Sequence, residues 1–132
     1  MFEPKREDSG RTITMSTASS TTISKYDALE FASGYVQRAD SGTTEVRFVA
    51  LEDVTTAGAA HTDILCLYVE GVQFTGDTAG NTGIADVGTY IDLTDHDTLN
   101  ESATSTNVFY VVGTVGAAAS KQLSGYFVMK AD

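Results

Sequence analysis

The chain has 132 residues, 42% of them hydrophobic, a formal net charge of −10 and one Cys. That length holds one domain able to bury roughly two-thirds of its unfolded surface. A single Cys excludes an internal disulfide and a Cys-based zinc cluster, and no stretch reaches the about 18 apolar residues that a membrane-spanning helix needs.

The first ten residues, MFEPKREDSG, are charged where a signal peptide is apolar, so no export signal is expected and synthesis in a cytoplasm fits the Cys usage. Residues 1–25 set four basic side chains (Lys5, Arg6, Arg11, Lys25) against three acidic ones (Glu3, Glu7, Asp8). The balance then reverses. From Phe48 to Ser120 there is no Lys or Arg and there are ten Asp/Glu, a distribution that argues against nucleic-acid binding, which needs clustered cations to displace phosphate counterions.

The stretch RTITMSTASSTTIS, residues 11–24, has nine Ser/Thr in fourteen positions. Ile13 and Met15 fall on one face with Ser and Thr between them, and Ile23 follows. So few apolar residues cannot offset the loss of chain entropy alone, so residues 1–25 are expected to be an extended N-terminal arm that orders by adding a strand to another subunit. The folded domain is then 26–132.

Within that domain the dominant period is two. TTEVRFVALEDV places Val46, Phe48 and Ala50 on one face and Arg47, Val49 and Leu51 on the other. ILCLYVEGVQF is apolar on both faces from Ile64 to Val69, as a central strand would be. ALEF, GYVQ, TYIDL, NVFYVVGTV and QLSGYFVM are shorter runs of the same kind. The clusters ADSG, TTAGAAHTD, TGDTAGNTG and TDHDTLNESATST are turn-forming and separate them. Seven or eight short strands with polar, glycine-bearing connections predict an all-β fold, a small β-barrel or β-sandwich. GIADVG and SKYDALEF are the two places for a short helical turn. SGYV at 33–36 and SGYF at 124–127 read as similar turns into strands.

Few residues point to chemistry. His61 and His96 lie in predicted loops without a nucleophile at a recognisable spacing. Cys66 sits inside an apolar strand and reads as a small core residue. GTVGAAASK lacks the second glycine of a phosphate-cradling loop. DLTDHDTLNE offers Asp92, Asp95, Asp97, Asn100 and Glu101; of these Asp95, Asp97 and Glu101 are weak candidates for a calcium site, since the twelve-residue loop with central Gly and terminal Glu is absent. TGDTAGNTG has the Gly, Asp and Asn of tight turns with positive φ. No enzyme is specified and no cofactor is expected.

The body of the chain resembles the small capsid cement, or head decoration, proteins of tailed bacteriophages and related archaeal tailed viruses. The resemblance runs through YDALEFASGYVQRADSGTTEVRFVALEDVTTAG, LYVEGVQFTGD, VGTYIDLTDHDTLNE and NVFYVVGTVGAAASKQLSGYFV, about four-fifths of the chain. The matching positions are Gly34, the run Phe48 to Val54, Gly71-Val72, Val87-Gly88 and Gly113. The resemblance implies a β-barrel-like protein on the outer surface of an icosahedral virion head. There it would sit often as trimers at three-fold positions, clamping neighbouring major capsid subunits after the shell expands. It also implies an N-terminal arm laid on the capsid lattice. On that reading Ile13, Met15 and Ile23 are apolar anchors against the major capsid protein, and Arg6 and Arg11 meet acidic capsid residues at the rim. The alternatives are a glycan- or calcium-binding β module of a viral fibre, acting through the TGDTAGNTG or DLTDHDTLNE loop, and another virion component such as a tail or head-completion protein.

Overall fold

Alternating apolar and polar residues, interrupted by Gly, Asp and Thr, fold here as thirteen short strands, in a computed structural model that describes residues 1–5, 10–116 and 121–130. In chain order they are β1 Phe2–Pro4, β2 Thr12–Ser16, β3 Thr22–Ile23, β4 Ala28–Ala32, β5 Tyr35–Arg38, β6 Phe48–Ala50, β7 Val54–Thr55, β8 Asp63–Tyr68, β9 Phe74–Thr78, β10 Tyr90–Leu93, β11 Thr98–Asn100, β12 Phe109–Thr114 and β13 Gln122–Phe127. The all-β prediction holds. The strand count exceeds the expected seven or eight because five of the strands are only two or three residues long.

The first sheet closes on itself as a five-stranded barrel, β9-β11-β10-β12-β13, with β13 pairing back onto β9. All pairs are antiparallel except β9 with β11. Strand β1 adds to the edge of β9 that β11 leaves free, Phe2 opposite Gly76 and Pro4 opposite Phe74. Four phenylalanines fill the barrel, Phe2, Phe74, Phe109 and Phe127, with ring centroids 5.0–6.3 Å apart. Such tilted and edge-to-face pairs are favoured by the ring quadrupole.

The second sheet is β2-β8-β6-β4-β5, antiparallel throughout. It curls until the end of β2 reaches β5, where Thr17 bridges Val36 and the Ala18 N–H donates to the Val36 carbonyl at 2.8 Å. Strand β8, expected to be central, is instead an inner strand between the edge strand β2 and the middle strand β6, and it carries apolar residues on both faces. Leu67 and the following Val69 enter the larger core shared with the barrel, while Ile64 and Cys66 enter a smaller core on the other side. The β3–β7 pair lies over that smaller core through Ile23 and Val54.

Turn chemistry fits where it was read in the β4–β5 hairpin. Its two-residue loop Ser33-Gly34 has φ of +52° and +87°, the left-handed pair of a type I′ turn. The echo SGYF is different: Gly125 lies in mid-strand, where a Cβ would strike the Tyr110 carbonyl and the Phe109 ring. TGDTAGNTG is likewise only partly a loop, because its first residues continue β9. Gly76 serves packing rather than a turn, since a Cβ there would stand 2.8 Å from Phe2 and 2.9 Å from Leu99. TDHDTLNESATST also contains a strand, β11, whose Leu99 is fully buried. Of the two predicted helical turns, GIADVG holds a single 3-10 turn at Ile84–Asp86. SKYDALEF instead makes a tight turn, closed by the Asp27 N–H to the Ser24 carbonyl, before entering β4.

Candidate functional site

The N-terminal segment is not an extended arm. Residues 12–16 pair along their whole length with β8, Thr12 opposite Leu67 and Ser16 opposite Asp63. Ile13 and Met15 turn inward and pack on the smaller core, Ile23 is 1% exposed within it, and Thr12, Thr14 and Ser16 face solvent. The Ser/Thr richness is thus the outer row of a period-two strand at the sheet edge. The three apolar residues assigned to a capsid partner are taken up by the protein's own packing, on the smaller core beside the curled second sheet. Phe2 is buried in the barrel. With β1 in one sheet and β2 in the other, no structural boundary falls at residue 25. Arg11 remains on the surface, its guanidinium 4.8 Å above the Tyr68 ring, a cation–π contact. Arg6 lies outside the described residues.

The acidic run is divided among separate tasks. Asp92 is buried in β10, and its carboxylate accepts the backbone N–H groups of Ser105, Thr106 and Asn107 at 2.8–2.9 Å. Burial alone would raise its pKa, but these bonds outweigh it and hold the carboxyl below the usual range. Asp95 organises the β10–β11 connection, accepting the Asp97 N–H at 3.0 Å. Glu101 is turned against the backbone at Gly80, away from Asp95 and Asp97. The three candidate calcium ligands therefore do not converge. Asp97 instead gathers with His96 and with Asp27, a residue that sequence reasoning missed because a buried acid in a turn carries no pattern.

Asp27 is 2% exposed. Its Oδ2 accepts from the Ser24 N–H at 2.8 Å and from Arg38 Nε at 3.1 Å, while Oδ1 faces His96 Nε2 at 3.9 Å. Asp97 Oδ2 lies 3.9 Å from the same His96 nitrogen, and its Oδ1 accepts from the Thr98 hydroxyl at 2.9 Å. Burial acts to raise the Asp97 pKa, but hydrogen bonding with Asp95 and Thr98 and the electrostatic influence of the N-terminus and His96 prevail and lower it. Cys66 is fully buried, as read, and desolvation with the nearby Glu52 carboxylate pushes its thiol up to about 12. His61 stacks on Tyr35 with centroids 4.0 Å apart, and its Nδ1–H donates to the Thr17 carbonyl at 2.8 Å, a structural post at the edge of β2.

One apolar display on the surface is aromatic. Tyr90, Tyr110 and Tyr126 stand opposite one another on the adjacent strands β10, β12 and β13, forming a row across the outside of the barrel. Tyr90 is 48% and Tyr126 37% exposed, and the Tyr90 and Tyr110 rings lie 4.8 Å apart. Val112 follows on the same outward face of β12, and Ile84, 81% exposed, projects from the 3-10 turn beside that strand. The signal was in the sequence, since alternation in TYIDL, NVFYVVG and QLSGYFV puts each tyrosine opposite in phase to its buried neighbours.

No protein-family model matches the chain, and no curated protein sequence does. Its fold is similar to a crystal structure of the head fiber gp8.5 N base in bacteriophage phi29, with a TM-score of 0.56 over 89% of this chain and 95% of that one, at 13% identity. At that identity the likeness shows the fold. Among the described residues no helix is long and apolar enough to cross a membrane.

Proposed function

We propose that the protein is a structural component of a phage virion, bound to the outer surface of the head, where it cements neighbouring major capsid subunits as a trimer. The observation that carries this reading is the similarity of its fold, over 89% of this chain, to the phi29 head fiber base. The resemblance of its strand and turn order to capsid cement proteins supports the same placement.

The contact surface on this reading is the tyrosine row. Tyrosine gives large, rigid contact area with a polar tip and is enriched at protein interfaces, and an exposed aromatic strip is unusual on a face that meets only water. Tyr90 and Tyr110 lie in the part of the chain that has acids and no Lys or Arg, and Tyr126 follows just after Lys121, so the row fits a capsid face that offers basic side chains to stack on the two earlier tyrosine rings. Arg11, whose guanidinium lies over Tyr68 on the second sheet, and Arg6 are proposed as separate contacts to capsid acids. Each interface can be modest, because a trimer engages three sites at once.

The test is co-sedimentation with expanded heads that lack the protein. Wild type should bind saturably, and Tyr90→Ser with Tyr126→Ser should lose binding while the melting temperature stays put. Saturable binding unchanged by both substitutions would remove the row from the mechanism, and absence of wild-type binding would remove the cement role. The same row favours a second reading, a glycan-binding fibre module, because sugars stack on exposed aromatics. Binding on a glycan array that these substitutions abolish, without head binding, would select it.

A further inference from the structure

We infer that Asp27, His96 and Asp97 form a binding site for one divalent metal of the zinc class, placed where the barrel meets the second sheet. One imidazole nitrogen and two carboxylate oxygens, one from each residue, lie within 4.8 Å of one another. The way each carboxylate is held is what distinguishes this group from an ordinary acidic surface. Each uses one oxygen for orientation and turns the other toward His96. Asp27 gives Oδ2 to Ser24 and Arg38 and points Oδ1 at Nε2; Asp97 gives Oδ1 to Thr98 and points Oδ2 at the same nitrogen.

At 3.9 Å both separations exceed a hydrogen bond. A small inward closure brings all three atoms to the roughly 2.0–2.2 Å that zinc takes from nitrogen and oxygen ligands. Ser24, Arg38 and Thr98 are then the outer partners that fix ligand orientation. Three protein ligands leave a coordination position for water, on the side where the Asp97 side chain is 43% exposed. The imidazole selects zinc and its neighbours over calcium and magnesium, which take oxygen ligands alone.

Nearby cations already offset much of the negative charge, so binding here rests on the convergence of the three ligand atoms rather than on an excess of acid. Arg38 offsets one carboxylate, and the N-terminal ammonium lies beside Asp97, donating to its carbonyl at 2.7 Å and to Asp77 at 2.8 Å. Its placement gives the metal a task. Asp27 leads into β4 of the second sheet, whereas His96 and Asp97 belong to the β10–β11 connection of the barrel, so a bound ion clips the two sheets together. The Ala28 N–H bond to the His96 carbonyl, 2.8 Å, already holds the two segments in register.

The full-length protein, stripped with chelator, is titrated with zinc chloride by calorimetry and melted with and without the ion. One saturable equivalent is expected, with a rise in melting temperature that calcium and magnesium do not give. His96→Gln and Asp97→Asn, both on partly exposed side chains, should each weaken binding at least about tenfold while leaving the metal-free melt near that of wild type. No binding at millimolar zinc, equal binding of calcium, or zinc binding unchanged in both variants overturns the assignment. None of these outcomes depends on head binding.

Discussion

The ring of Phe2 meets the ring of Phe127 edge-on, with centroids 5.0 Å apart at 67°. The second residue of the chain and its last strand thus share one core, and the N-terminal segment is part of the fold rather than an appendage to it.

Phe2→Ala is therefore expected to cost about 3–5 kcal/mol, the loss of a buried aromatic plus the cavity it leaves. Urea unfolding measures it. A cost under about 1 kcal/mol would mean that β1 does not dock.

Edge strand β2 gives a sharper contrast. Ile13→Asp puts a charge against the smaller core and should destabilise by several kcal/mol. Thr14→Asp, one residue on and facing solvent, should stay within about 0.5 kcal/mol. Thermal melts of the two variants suffice. Equal, small effects would restore the free-arm reading.

Asp92 ties down the loop before β12. Its native carboxyl titrates below the unfolded value, so the unfolded chain binds the proton first and the contribution is complete above about pH 4. It is lost as pH falls through the lower native pKa. Asp92→Asn should cost about 1–3 kcal/mol at neutral pH, and the gap to wild type should shrink at pH 3. A gap independent of pH would show that shape, not charge, holds the loop.

Cys66 should be inert in the native protein. With its thiol pushed up to about 12 and no exposed surface, a disulfide reagent at pH 8 should react only after denaturant is added. Rapid labelling of the folded protein would contradict the depth assigned to β8.

Much of the fold was legible because period-two alternation is local. The double-faced run Ile64 to Val69 marked the strand between two cores, and Ser33-Gly34 marked a hairpin. Strands β9 and β11 are not legible in the sequence because their composition is that of turns. Gly76 is required by the close approach of Phe2 and Leu99, a tertiary demand that sequence does not display. Ile13, Met15 and Ile23 pack on the protein's own smaller core rather than serving as a free arm, a distinction the sequence does not carry, since nothing in a linear pattern says whether a strand joins its own sheet or another's. The Asp27–His96 pairing is invisible for the same reason, whereas the outward phase of the three tyrosines follows from alternation and only the adjacency of their strands needs the structure.

The double use of β9 bears on how the chain assembles as it is made. Strands β2, β4, β5, β6 and β8 all lie within residues 12–68, so a nascent chain that has cleared the ribosome to that point holds every strand of the second sheet. Phe2, by contrast, has no strand to pair with until β9 emerges, and the barrel around it stays open until β13, at 122–127, closes on β9. Translation therefore imposes an order, with amide protection expected in β8 before β9, and it leaves an unsealed sheet edge exposed for the time that the last fifty or so residues take to synthesise, a few seconds at ordinary elongation rates.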